Sequence, residues 1–149
     1  MTVMAVHRFE RFFRAAAGLD VDKDDLKRYS DFISDKLHDL LVIGEGTAKA
    51  NGRDIVQPRD LPITKGLQES IHAFREIDEE IELQPILAQL AKYAPFDVTV
   101  SEETESRLPE VVGGLSVALA RTFKIIDPEV KNPQAAHWED VFQIFGLLL

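Results

Sequence analysis

The chain has 149 residues, of which 45% are apolar and 29% are charged, and these fractions are typical of a folded globular domain. It contains no cysteine, which excludes a disulfide framework, a cysteine-based zinc site and a thiol nucleophile. No apolar run approaches the roughly 20 residues that span a bilayer, and the first residues lack the apolar core of a secretory signal, so we expect a cytoplasmic protein with no membrane partner.

The first two predicted helices are a short one and a long one. The short helix covers residues 8–17 and ends at Gly18, since glycine commonly follows a helix C-terminus. The long helix begins near Asp24, where a helix N-terminus favours negative charge. Apolar side chains then recur with helical period as far as Asn51-Gly52, which makes a helix of about 40 Å. We expect the glycines of Gly44-Glu45-Gly46 to let the long helices approach closely.

A second loop, residues 53–56, leads to another short helix. Pro58 suits the first helical position and Asp60 suits the first turn, although Pro62 could shift the start of this helix or kink it. An apolar stripe then continues through Ile81, and the polar face on the opposite side of this helix is acidic.

The second half repeats this pattern less regularly. A short amphipathic helix over residues 86–93 ends near Pro95, and Ser101 caps a long helix that runs to Ile126. Pro109 and Gly113-Gly114 fall inside that helix and predict a kink or a late start.

A loop over residues 129–136 and a last apolar helix, opened by Trp138 and running through Leu149, complete the predicted elements. The order short, long, short therefore occurs twice. Phe96-Asp97-Val98 also echoes Leu19-Asp20-Val21 at a distance of 77 residues. This predicts an internal repeat, with copies over about 6–75 and 83–149, in one compact all-α domain that spans 1–149.

The segment from Gly52 to Leu61 resembles the second loop of histone-fold proteins. In that family an arginine of the loop pairs with an aspartate seven positions later, and Arg53 and Asp60 have this spacing. The resemblance therefore implies a structural clamp between Arg53 and Asp60, a charge-assisted pair that holds loop to helix. The tandem arrangement is similar to a group of uncharacterised bacterial and archaeal proteins that carry two histone folds in one chain.

The resemblance implies a histone-fold pair within the chain, an intrachain pseudo-dimer of two helix–loop–long helix–loop–helix units. In such a pair the long helices cross antiparallel, and covalent fusion makes the pairing intramolecular. The residues expected to meet in this core are Ile33, Leu37, Leu40, Val111, Leu115 and Leu119.

Several positions depart from the family pattern. The usual threonine two positions after the loop arginine is Ile55, and a lysine that often follows the arginine is Asp54. In the second copy, Pro133 lies seven positions before Asp140, so we expect no clamp there. Each change weakens the DNA-wrapping role that the family implies.

DNA binding is one of two candidate functions. Through Arg75 the chain has twelve basic and twelve acidic side chains, whereas from Glu76 onward it has five and fourteen, so the whole net charge of −9 lies in the second half. Binding to phosphate needs a basic surface, which net charge disfavours here. The candidate DNA-binding residues are Arg8, Arg11, Arg14, Lys23, Lys27, Arg28, Arg53 and Arg59. The alternative is that they are solvated charges that balance nearby acids.

Protein association is the other candidate, and we favour it. The chain ends in an unusually apolar segment, residues 144–149, which either packs against the other copy or stays exposed and supports a homodimer or binding of another protein. We expect no enzyme activity and no cofactor, because the sequence contains no phosphate loop, nucleophile elbow or zinc-protease motif. We expect no metal site either, because His72 and Glu76 form only a two-residue pair on a helix.

Overall fold

The structure is a computed structural model that describes residues 3–93 and 97–149. Pro95 and Phe96, where a helix end and part of the repeat were predicted, lie outside these ranges. Within them the chain is all helical, as predicted, with one isolated β-bridge and no longer strand. The elements are α1 (Val3–Ala17), α2 (Lys23–Ala50), a single 3-10 turn (Pro58–Asp60), α3 (Lys65–Ile81), α4 (Gln84–Tyr93), α5 (Glu102–Ile126) and α6 (Ala135–Leu148).

The predicted C-terminal end of α1 and both predicted ends of α2 are confirmed. Gly18 adopts a φ of +63° directly after α1, a conformation that favours glycine. Asp22 caps α2 by accepting a hydrogen bond from the Asp25 amide at 2.8 Å, while the Asp25 carboxylate accepts one from the Asp22 amide at 2.9 Å. At the other end α2 stops at Ala50, before Gly52 with its φ of +73°. The start of α1 differs from the prediction, because the chain is helical from Val3, the first residue that the structure describes.

Pro62 divides the last helical segment of the first half. The chain makes a 3-10 turn at Pro58–Asp60, and α3 begins only at Lys65, where Thr64 accepts a hydrogen bond from the Leu67 amide at 3.1 Å. The shifted start that Pro62 predicted is therefore confirmed.

Of the kink or late start predicted for the second long helix, the late start is wrong. Ser101 caps α5 through the Thr104 amide, at 3.1 Å, and the helix then continues without a break through Pro109 to Ile126. Gly113 and Gly114 lie against α3, a contact that the sequence did not predict. A Cβ on Gly113 would lie 2.4 Å from the ring of Phe74, and one on Gly114 would lie 2.5 Å from Ile71.

Gly44 also differs from its predicted role. Its nearest neighbours are Val56 and Leu61 of its own half, at 3.2 and 3.3 Å from the position of a Cβ, whereas Gly46 has nothing within 4 Å. Gly44 therefore lets the second loop lie against α2, and the expectation that these glycines bring the two long helices together was wrong.

One core draws buried side chains from each of the helices α1 to α6 and runs through both halves of the chain. All six residues predicted to fill it are buried, with exposures between 0 and 4%. Tyr29 of α2 hydrogen-bonds to Ser116 of α5 at 2.7 Å, and further along α2 Leu41 lines a pocket together with Leu108. Because later residues of α2 meet earlier residues of α5, the two long helices run in opposite directions.

Loops of the two halves pair at both ends of the molecule. At one end Val56 and Val100 form a parallel bridge, in which the Val56 amide donates to Thr99 at 3.0 Å. At the other end the Asp20 amide donates to the carbonyl of Lys131 at 2.7 Å. Each contact joins the loop before one long helix to the loop after the other, so the halves are tied together twice.

Candidate functional site

The predicted pair of Arg53 and Asp60 is present at the first of these loop ends. The two guanidinium NH groups of Arg53 donate to the two Asp60 oxygens at 2.6 and 2.7 Å, and the Gln57 amide donates to the same carboxylate at 2.8 Å. The Asp60 side chain is only 1% exposed. Its hydrogen bonds with Arg53 lower the pKa of Asp60 from 3.8 to about 2, so the pair stays charged through the neutral range.

In the equivalent loop of the second half, a histidine–aspartate pair takes the place of the arginine–aspartate pair. His137 accepts a hydrogen bond from the Gln134 amide at its Nδ1 atom, and its Nε2 atom lies 2.9 Å from Asp127. Since Nδ1 accepts, Nε2 carries the proton and donates, and this bond lowers the pKa of Asp127. His137 thus occupies the position that Asp60 has in the first half, 77 residues earlier. Sequence reasoning missed this pair, because it expected only the arginine–aspartate spacing that Pro133 interrupts.

Three of the candidate DNA-binding arginines are engaged within the protein. Arg53 holds Asp60, and Arg14 forms an exposed ion pair with Asp20 at 3.1 Å. Arg8 donates to the carbonyl of Glu82 at 3.0 Å. The charge of Arg14 is therefore balanced by a nearby acid, as in the alternative to DNA binding.

The other candidate cations have no ion-pair partner among residues 3–93 and 97–149; they are Arg11, Lys23, Lys27, Arg28 and Arg59. Lys23 and Lys27 line one groove with Leu90, and Arg11 lines another with Glu76 and Glu80. Arg59 lies on the 3-10 turn.

The apolar C-terminal segment is half packed and half exposed. Phe145 is buried and makes an edge-to-face contact with Phe32 of α2, at 4.9 Å between ring centroids. By contrast, Leu147 is 87% exposed and Leu148 is 76% exposed. Part of the segment therefore packs against the first half of the chain and part of it is exposed, while the homodimer stays a prediction.

Two buried polar contacts that the sequence did not reveal attach α2 to the second half. One is the bond between Tyr29 and Ser116; the other is the indole NH of Trp138, which donates to Asp25 at 2.8 Å. Burial raises the pKa of both Tyr29 and Asp25. Each contact joins residues far apart in sequence, so no local pattern could have found it.

His72 and Glu76 form an exposed pair at 3.6 Å on α3. Across the described ranges, no group of three histidine or acidic side chains could hold a metal ion. Nor is any helix within those ranges long and apolar enough to cross a membrane.

Fold and contacts together define an all-helical protein whose two halves share one core. The chain belongs to the family described as Domain of unknown function (DUF1931), whose model matches residues 9–146. A protein of Thermus thermophilus with a crystal structure is 53% identical, with a TM-score of 0.84 and 97% of both chains covered. A crystal structure from Aquifex aeolicus is 25% identical and covers all of both chains, also with a TM-score of 0.84. An uncharacterized protein of Aquifex aeolicus (strain VF5) is 28% identical over 137 residues, which cover 92% of this chain and 80% of that protein.

Proposed function

We propose that the chain is a histone-fold pair contained in one polypeptide. The order of short, long and short helices in each half supports this, with the division of the last element in the first half as a local variation. The loop contacts at Val56–Val100 and Asp20–Lys131 support it further, because antiparallel long helices bring the loop before one to the loop after the other. The clamp of Arg53 and Asp60, with the family's spacing, is the third support.

Within that fold, we propose a non-enzymatic role as a module for protein association. The single observation that carries this proposal is the exposure of Leu147 and Leu148 at the end of α6. Adjacent large apolar side chains in water are unfavourable, at roughly 25 cal/mol for each Å² left uncovered, and such patches often mark interaction sites. A second copy of the chain is the simplest partner, since a surface that pairs with itself closes into a symmetric dimer.

Light scattering at increasing protein concentration tests this role. We expect a mass above that of the monomer, and we expect the double variant Leu147→Ser/Leu148→Ser to return the protein to monomers. Ile125→Ser is the matched control, because Ile125 is 78% exposed but lies at the end of α5. A monomeric mass at every concentration, or an equal effect of the control, would count against self-association through α6.

Weak DNA binding without sequence specificity is the second candidate, favoured by the unpaired Lys23 and Lys27 one helical turn apart. Against it, the paired loops beside Arg53 also carry Asp54 and Asp97, which repel phosphate. A mobility-shift titration of duplex DNA at low and raised salt separates the candidates. Binding that weakens steeply with salt and is reduced in Lys23→Gln/Lys27→Gln would favour DNA, whereas no shift even at low salt would remove it.

A further inference from the structure

A groove between α2 and α6 holds a partly exposed aromatic ring. Phe142 of α6 stacks on the buried Phe32 of α2, with ring centroids 5.9 Å apart and planes within 5° of parallel. Although it is stacked, Phe142 remains 37% exposed. Aromatic side chains that are held rigidly and stay partly exposed are enriched at the centres of protein interfaces.

Three carboxylates from α2 line the same groove, together with Lys36 and His38 of that helix. Asp31, Asp35 and Asp39 follow each other at intervals of four residues and so lie on one face of the helix. Asp39 accepts a hydrogen bond from Lys36 at 3.4 Å. Asp31 and Asp35 are exposed and have no hydrogen-bond or ion-pair partner in the part of the chain that the structure describes.

This row of charges is unfavourable for the isolated protein. Like charges four residues apart on a helix repel each other and destabilise it. The chain places cations beside several of its other acids, as with Arg14 and Asp20 or Arg75 and Glu110. Lys27 and Arg28 lie one turn before Asp31, and Lys36 follows Asp35, but within the described residues none of these cations forms an ion pair with either aspartate. The negative charge of Asp31 and Asp35 therefore remains available to an external cation.

We propose that the groove between α2 and α6 binds a basic amphipathic helix of a partner protein. Arginine or lysine side chains of that helix pair with Asp31 and Asp35, and its apolar side covers Phe142, on whose ring a guanidinium also stacks favourably. This inference rests on the proposed role in protein association and adds the chemistry of the partner. The acidic rim repels both nucleic acid and an anionic membrane, and it disfavours a second copy of a chain whose net charge is −9.

Fluorescence anisotropy with a defined probe tests the proposal. The probe is a labelled synthetic helical peptide with leucine and arginine on opposite faces, and the control peptide has glutamate at every arginine position. We expect the full-length protein to bind only the arginine peptide, with an affinity that falls as salt is added. Asp31→Asn/Asp35→Asn should weaken binding about fivefold to tenfold, since exposed charge pairs contribute modestly.

Phe142→Ala should weaken binding by about tenfold, and Phe142→Leu keeps most of the apolar surface if the alanine variant does not fold. Glu76→Gln/Glu80→Gln is the matched control, because it removes two exposed carboxylates at the same spacing from α3. That control should leave peptide binding unchanged.

A stability measurement gives a second readout, which distinguishes Asp31 and Asp35 from other exposed carboxylates. Asp31→Asn/Asp35→Asn should raise the melting temperature while it lowers the peptide affinity, because it removes repulsion that the isolated protein leaves unbalanced. Glu76→Gln/Glu80→Gln should not raise it, because those acids line a groove with Arg11 and Arg14.

Three results would overturn the inference: peptide affinity unchanged in Asp31→Asn/Asp35→Asn, equal binding of the glutamate peptide, or loss of a homodimer in Phe142→Leu. The last would mean that a second copy occupies the groove. If the peptide fails to bind while the protein still self-associates through Leu147 and Leu148, the inference fails and the proposed function stands.

Discussion

Gly113 offers the sharpest test of how α3 and α5 pack. A Cβ at this position would lie 2.4 Å from two atoms of the Phe74 ring, roughly 1.1–1.6 Å inside the optimum carbon–carbon separation. Phe74 is 0% exposed and also contacts Phe12, so the ring has no free space to enter. Gly113→Ala therefore forces the two helices apart or drives the ring off its rotamer.

The magnitude follows from comparison with a second glycine. In an open helix the change to alanine stabilises by up to about 1 kcal/mol, and this applies to Gly46, which lies in α2 with nothing within 4 Å of its Cβ position. At Gly113 the same gain is opposed by overpacking, which costs about 1–3 kcal/mol. The two variants should therefore differ by about 1–3 kcal/mol, or roughly 2–12 °C in melting temperature.

Thermal and denaturant unfolding, followed by circular dichroism, measures this difference. We expect Gly46→Ala to melt at or above the parent protein and Gly113→Ala to melt below Gly46→Ala. Adding Phe74→Leu to Gly113→Ala should cost less than Phe74→Leu alone, because the smaller side chain makes room for the new methyl group. If Gly113→Ala melts as high as Gly46→Ala, the close approach of α3 to α5 is not as described.

Three further predictions concern the clamp and the core. Arg53→Met should lower the melting temperature at neutral pH, because it removes the partner of Asp60. The pKa of Asp60 is lowered from 3.8 to about 2, so the parent protein loses stability as the pH falls across that interval. In a series of melts at different pH, the variant should lose less stability over the same interval. Tyr29→Phe removes the buried bond to α5 and should cost about 1 kcal/mol in urea unfolding, with no loss indicating that this bond adds nothing. Leu37→Asp should abolish the cooperative melt, whereas Val42→Asp, at a site 44% exposed on the same helix, should keep it; a cooperative melt in both would contradict the assigned core.

The sequence predicted those features that depend on neighbouring residues. The ends of α2 were predicted from the negative charge near Asp24 and from Asn51-Gly52, because both preferences act within a turn or two of the helix end. The clamp of Arg53 and Asp60 was also predictable, because both partners lie within one short segment whose spacing resembles a known loop.

Features that join distant segments could not be predicted in this way. The weak helix propensity of Gly113 and Gly114 predicted a kink or a late start. That both glycines lie against α3 is shown only by the folded structure. Likewise, His137 had no sequence neighbour that marked it as a partner of Asp127, and only the folded loop brings them to 2.9 Å. The exposure of Leu147 and Leu148 also depends on where α6 ends relative to α2.

The mutual dependence of the two halves is tested most directly by separating them. Fragments 1–82 and 83–149 divide the chain just before α4, so each carries one long helix and the loops that pair with the other fragment. Circular dichroism of each fragment alone should show little helix and no cooperative melt, and an equimolar mixture should regain both. Either fragment folding cooperatively by itself would contradict the account of two halves that complete one core.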